Sequence, residues 1–420
     1  MIETFELFPG ITLRCFPDTR FKQGCISVQF VRPMKREEAA VNALIPVVLL
    51  RGCEGCEDLR AITARLDDLY GAAVGALVRR VGDYQTTGLC CNFIQEAYAL
   101  EGDEILAPMM DFLGQLLFHP VLEEGAFCSR FVESEKKNLI AAIEAQRNDK
   151  RAYASAQMLK KMCSADSYGI PRLGEKEQVE TITPQSLYDH YRKVLKESLV
   201  EIFYVGAAEP EKIAQLMKQM FAGVDRDYAN LPGQTPFQDG GSGEYTEVME
   251  VTQGKLCMGF VTDITLRHKD FATMQVLNTV FGAGMTSKLF MDIREKQSLC
   301  YDIGSGYQGS KGILTVSAGI DCHRDELVKQ EVLRLLGECA DGNITREEMT
   351  AAKQALVSQL QSTHDSPGAI ENYYATAALS GLGMTPDQYM EAVEQVRLED
   401  VAWAAKSLKL HTVYFLKGER

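Results

Sequence analysis

LFMDIREKQSLCY, residues 289–301, is the stretch whose reading decides the fold. Its first part reads as a helix over Ser287–Lys296. Its end opens a strand over Tyr301–Gln308, where Gly304 and Gly306 leave room for a second backbone to approach. Working outward, the same order of elements occurs twice. Phe30, near the end of a strand at Gly24–Val31, precedes Tyr70 by 40 residues, and Val261, in a strand at Lys255–Thr262, precedes Tyr301 by 40. YGAAVGA from Tyr70 and YDIGSGY from Tyr301 each lead into a hairpin, and the helix beginning at Leu122-Glu123-Glu124 has a counterpart at Thr345-Arg346-Glu347-Glu348. Between the two copies lies DRDYANLPGQTPFQDGGSGE, residues 225–244, dense in Gly, Pro, Asp and Asn and without periodicity. It reads as a linker. The sequence therefore predicts an α+β protein with two similar domains, 1–224 and 245–420, joined by residues 225–244, each a mainly antiparallel sheet backed by helices.

Composition narrows the function. A chain of 420 residues with 46% hydrophobic and 24% charged residues can bury sizeable cores, which excludes bulk disorder. A net charge of −14 with no basic arm excludes a phosphate-tracking nucleic-acid binder. The longest apolar run, Ala39–Leu50, contains Asn42 and Pro46 and is too short to span a bilayer. MIETFELFPG at the start carries acidic residues where a signal peptide has a basic one. Twelve scattered cysteines read as reduced thiols. The expectation is a soluble, cytoplasmic protein with no membrane span and no nucleic-acid partner.

Residues 289–301 resemble the second-domain signature of the M16 (insulinase, pitrilysin, mitochondrial processing peptidase) family, in which Arg-Glu-Lys on a helix is followed by a Tyr at the start of a strand. The likeness covers nearly the whole chain and is greatest to the short bacterial YmfF-type members. It implies that Arg294 and Tyr301 contact the backbone of an extended peptide, Arg with a planar fork of donors and Tyr with a phenolic donor.

In active members the first domain carries H-x-x-E-H, two His at i and i+4 holding zinc and a Glu activating its water, which then has a pKa near ~7. Counting back from Gly52 places those positions on Ala43, Pro46 and Val47. Of the two Glu that the resemblance implies on a later helix, Glu135 fits the first, and the second, a zinc ligand, falls on Ala142. No ligand and no base stands at any of these places. His119, His190, His268, His323, His364 and His411 contain no i,i+4 pair. The chain is expected to hold no metal or other cofactor, with zinc on a partner. Ala43 and Val47 are expected to fill a core patch, and Pro46 to kink or open its helix.

Other motifs reduce to simpler readings. Cys53-Glu-Gly-Cys56 has no second C-x-x-C to complete a zinc site and lies between two helices, not after a strand. Cys90-Cys91 within a strand reads as packing. Gly282-Ala-Gly284 and Gly304-Ser-Gly306 lack the P-loop order and the strand–glycine–helix context of a dinucleotide fold. His119-Pro120 with Glu123 and Glu124 reads as a loop entering a helix with acidic residues at its start.

These readings converge on a catalytically incomplete peptidase subunit, not active alone. It would bind and orient an unfolded peptide for an H-x-x-E-H partner, as a heterodimer or with a second copy of itself, and Gly304 and Gly306 would let the peptide lie along the strand edge. The alternative is a non-proteolytic structural or peptide-binding scaffold, for which the resemblance implies a link to elongation factor P modification. A self-sufficient hydrolase with an unrelated site is the third reading.

Overall fold

The computed structural model describes residues 2–100 and 102–418. Glu3–Phe8 (β1), Ile11–Pro17 (β2), Gln23–Pro33 (β3), Ala73–Val81 (β4) and Tyr84–Ile94 (β5) are strands. Leu122–Glu123 (β6) and Ala126–Phe127 (β7) make a small ribbon, and Leu199–Gly206 (β8) is the last strand of the first half. Six of these form one sheet in the order β1-β2-β8-β3-β5-β4, parallel only at β2–β8. Gly243–Val248 (β9), Gly254–Val261 (β10), Cys300–Gln308 (β11), Ile313–Ile320 (β12) and Lys409–Lys417 (β13) form a second, in the order β11-β12-β10-β13-β9 and parallel only at β13–β9. Strands β9, β13, β10, β12 and β11 hold the places of β2, β8, β3, β5 and β4. The sequence repeat is a repeat of topology, and the α+β reading of two mainly antiparallel sheets holds.

Neighbouring residues of a strand face opposite ways, so β3, buried over almost its whole length, requires cover on both faces of its sheet. Ile26, Val28 and Phe30 pack in a core with residues of the helices Arg36–Leu49, Leu106–Phe118 and Pro210–Phe221. The opposite face meets the segment His364–Thr376. Ile370 and Ala375 pack with Phe16, Phe203 and Val205, and the Tyr374 ring lies 4.4 Å from that of Phe16. Glu371, 1% exposed, accepts from Ser27 Oγ at 2.7 Å and Gln29 Nε2 at 2.9 Å, and takes both arms of Arg79 at 3.0 and 2.9 Å. Gly88 is required on β5, because a Cβ there would lie 1.9 Å from the Val28 carbonyl oxygen.

The second sheet is covered in the reciprocal way. Ala154, Met158 and Met162 of the helix Lys150–Met162 pack on Cys257, Tyr414 and Leu416. Tyr153 and Tyr414 both donate to Glu247. The compact units are accordingly interleaved in sequence. One comprises Met1–Glu144, Ile170–Gly233 and His364–Thr376, and the other Ala145–Gly169, Gln234–Thr363 and Ala377–Arg420. The domains expected from sequence are contiguous; the packed units are not, because each sheet recruits its second cover from the far half of the chain. Residues 225–242 hold no helix or strand, yet they are pinned. Arg226 donates to the carbonyls of Leu195 and Ser198 at 2.6 Å each, and Gln238 N donates to Asp166 at 2.9 Å.

Three local expectations change. The helix around Pro46 runs unbroken from Arg36 to Leu49, since the proline sits in the last turn and costs one amide while the buried flank holds. The helix expected from Glu123 starts at Ser129, because Glu124 (φ 53°) and Gly125 (φ 82°) turn the chain into the β6–β7 ribbon first. Residues Leu289–Lys296 form a π-helix, wider than the α-helix that the sequence suggested. Among the described residues no helix is long and apolar enough to cross a membrane.

In the second unit the Lys311 and Asp166 side chains are 0% and 1% exposed and 3.1 Å apart. Lys311 also donates to Thr235 O, and Asp166 accepts from the amides of Tyr168 and Gln238. Removing one partner strands a buried charge. Asp166→Ala or Lys311→Ala is expected to lower stability by about 3–5 kcal/mol, and the double change Asp166→Leu/Lys311→Met to recover most of that loss. Urea unfolding of the three variants reads this directly, and single losses below ~1 kcal/mol would remove the pair as an anchor.

Candidate functional site

Two places carry the residues singled out by sequence. The first is the helix Arg36–Leu49. Ala43 is 2% exposed, Pro46 is buried, and Val47 packs half-buried on the same core. Ala142 lies on the helix Ser129–Ala145 and is exposed. A methyl, a pyrrolidine ring, an isopropyl group and a second methyl offer no lone pair, so these positions do not fit zinc. Among the described residues no group of three or more His, Cys, Asp or Glu is placed to hold a metal ion. Glu135 is instead an ion-pair partner. It accepts from Arg51 Nη1 at 3.1 Å and from Asn138 at 3.1 Å, and ties the end of the first helix to the second.

The polar flank of the same helix is fixed by residues that sequence reasoning passed over. Arg32 and Lys193 both donate to Glu38, at 3.0 and 3.2 Å. Burial pushes the Glu38 carboxyl up, but these two cations outweigh it and hold it down at about 2. Gln85 Nε2 donates to the carbonyls of Ala39 and Arg172, so its Oε1 must accept from Asn42 Nδ2, at 2.9 Å. Asn42 then presents its oxygen to His190 Nε2 at 2.7 Å, which fixes the proton on that nitrogen. Burial pushes His190 down to about 4.

The second place is the passage from the π-helix into β11. Arg294 stacks over the Phe290 ring, 4.6 Å from its centroid, and sits 3.4 Å from Glu295 with its side chain 40% exposed. The chain then turns sharply. Ser298 adopts φ 51°, its amide donates to Arg294 O at 3.1 Å, and Leu299 N donates to Ile293 O at 3.0 Å. In β11, Cys300 pairs with Ile320 and Asp302 with Gly319, so Tyr301 is the extra residue of a β-bulge. Its ring is 60% exposed, and its hydroxyl has no hydrogen-bond partner among the described residues. Burial and Asp302 push the Cys300 thiol up to about 11, against an opposing pull from the Arg294 charge. Met291, on the π-helix, and Met285, before it, are also exposed.

The glycines of β11 do something other than expected. Ser305 N donates to the Gly282 carbonyl at 3.0 Å, its hydroxyl bonds Asn278, and the nearest atom to a Cβ on Gly304 would be that same carbonyl oxygen. The chain's own turn occupies the middle of this edge. Tyr301, towards the start of the strand, stands exposed.

Residues 181–356 match the family model described as the peptidase M16 inactive domain. The probable inactive metalloprotease YmfF of Bacillus subtilis is 27% identical over 409 residues, 97% of this chain and 96% of that protein. A conserved protein from Enterococcus faecalis V583 has a crystal structure with a TM-score of 0.92 and 27% identity, covering 100% of this chain and 99% of that one. The peptidase M16 inactive domain from Pseudomonas fluorescens shares the fold at a TM-score of 0.83 and 17% identity, covering 100% and 98%.

The buried His190 makes a pH prediction. Its folded value near 4 lies below the 6.5 of an ordinary His. Between these values the unfolded chain binds more protons than the folded one, so the contribution is complete above pH 6.5 and is lost as pH falls towards 4. The loss is about 3 kcal/mol by pH 4. His190→Gln, which keeps a donor for Asn42, is expected to flatten the stability profile between pH 6.5 and 4 in denaturant titrations. An unchanged slope would place the titrating group elsewhere.

Proposed function

We propose that the chain is a member of the M16 peptidase family and the non-catalytic half of a cytoplasmic two-chain zinc peptidase. In this reading Arg294 and Tyr301 bind and orient an unfolded peptide, and zinc, with the water it activates, is supplied by an H-x-x-E-H subunit. The observation that carries the proposal is the aim of the pair. A π-helix ends and a bulge begins within a few residues, and between them they present a guanidinium and an unpartnered phenol towards the start of a strand. Such donors suit the carbonyls of an extended peptide, and exposed Met285 and Met291 suit varied side chains. The hydrocarbon at Ala43, Pro46, Val47 and Ala142 supports the assignment of the chemistry to another subunit. Twelve free cysteines agree with a reducing compartment.

The test reconstitutes the chain with an H-x-x-E-H subunit from the same host and follows cleavage of an unstructured fluorogenic peptide. Tyr301→Phe removes one hydrogen bond and is expected to lower kcat/KM about 10-fold; Arg294→Ala removes charge-assisted bonds and is expected to cost about 100-fold, with the complex still formed. The chain alone is expected to show no chelator-sensitive hydrolysis. Full activity in both variants would end the substrate-binding reading and leave a scaffold.

A further inference from the structure

Cys25 on β3 and Cys90 on β5 meet thiol to thiol. The register pairs Ser27 with Cys90 and Cys25 with Asn92, so the two cysteines are diagonal neighbours on one face of the first sheet. Their Sγ atoms are 3.7 Å apart. A disulfide at about 2.05 Å then needs the sulfurs to close by under ~2 Å and, because diagonal partners lie about 7–8 Å apart, β3 and β5 to draw together locally, with no change of register.

The two thiols differ in the way a reactive pair requires. Cys25 is fully buried, whereas Cys90 is partly exposed. The two thiols share a hydrogen bond, and the Arg79 guanidinium, held in place by Glu371, lends positive potential. Together they keep Cys90 below the ordinary thiol value against its burial and the Glu371 charge. Cys25 is correspondingly raised. Burial raises Cys15, Cys53, Cys257, Cys300 and Cys339 instead, which makes them inert.

We propose that Cys25 and Cys90 form a reversible redox site oxidised by hydrogen peroxide or an organic hydroperoxide. The Cys90 thiolate attacks the peroxide, the O–O bond breaks, and Cys90 becomes a sulfenic acid while the leaving oxygen departs as hydroxide or alkoxide. The Cys25 sulfur then attacks Cys90 Sγ, the S–S bond forms, the S–O bond breaks, and water leaves with the Cys25 proton. The dithiol is oxidised by two electrons and the peroxide is reduced. Diagonal partners in an antiparallel sheet lie just beyond the spacing an unstrained disulfide spans, so the bond is strained and easily reduced. That property suits a switch in a reducing compartment and not a permanent staple. Once formed, it clamps β3 to β5 beside the Glu371 cage.

Cys53 and Cys56 are the rival pair. Their backbones exchange two hydrogen bonds, at 2.8 and 2.9 Å, across the turn Glu54-Gly55. The experiment treats the fully reduced, full-length chain with stoichiometric hydrogen peroxide and maps peptides without reduction by mass spectrometry. A linked pair containing Cys25 and Cys90, lighter by two hydrogens and released by dithiothreitol, is expected in the wild type and in Cys53→Ser/Cys56→Ser. Cys25→Ser is expected to hold Cys90 as a sulfenic acid that dimedone captures. The wild-type map needs no variant to fold. Over-oxidised Cys90 without the link, or a link confined to Cys53 and Cys56, overturns the proposal.

Discussion

A sheet buried on both faces needs two covers, and the organisation of each unit follows from where the second cover comes from. The first cover is local: helices that leave and re-enter the sheet by short connections. The second is distant, and it must be keyed to stay in place. Glu371 supplies that key in the first unit. A carboxylate at 1% exposure is costly unless its lone pairs are met, and here Ser27, Gln29 and both arms of Arg79 meet them. In the second unit the key is the pair of tyrosines on Glu247. Residues 225–242 therefore hold only one of the several boundaries between the two packed units.

The pair Arg294 and Tyr301 depends on two irregularities that packing alone does not call for. A π-helix widens the turn that carries Arg294, and a bulge takes Tyr301 out of the ladder between Cys300 and Asp302. Ser298 in the left-handed region adds a conformation that costs of order 1 kcal/mol for a residue with a side chain. An ordinary α-helix running into a regular strand would avoid all three and would place Tyr301 in the ladder. The chain retains them, and what they achieve is exposure: a guanidinium propped on Phe290 and a phenol with nothing to bond.

Much of this was legible in the sequence because it rests on local pattern. The 40-residue spacing of Phe30 to Tyr70 and Val261 to Tyr301 reflects one topology used twice, and the loss of zinc ligands is a matter of residue type. The illegible parts depend on distance or on subtle geometry. Nothing near Glu371 in sequence indicates Ser27, Gln29 or Arg79, some 300 residues away. An i→i+5 helix of eight residues has almost the apolar pattern of an α-helix, so Leu289–Lys296 could not betray its type. Gly304 reads as room for a second backbone, and the backbone near it is Gly282 of the same chain, at an ordinary contact distance. Cys90 reads as packing until β3 is laid beside it.

The helix Arg36–Leu49 shows what occupies the positions that the family resemblance aligns with a zinc motif. Two imidazoles and a carboxylate on a buried flank are tolerable when a cation binds them and costly when none does. Ala43 and Val47 remove that cost, and Ala43 now lies within a close-packed core where a larger side chain would force its neighbours apart by about 1–3 kcal/mol. Pro46 gives up one helical bond in a turn that packing holds. Glu135 is paired with Arg51, which stands just past the end of the same helix. Restoring three donors by substitution would thus meet a filled core, a missing amide and a carboxylate already paired. At this helix the first unit is packed as structure and offers no group to a metal ion.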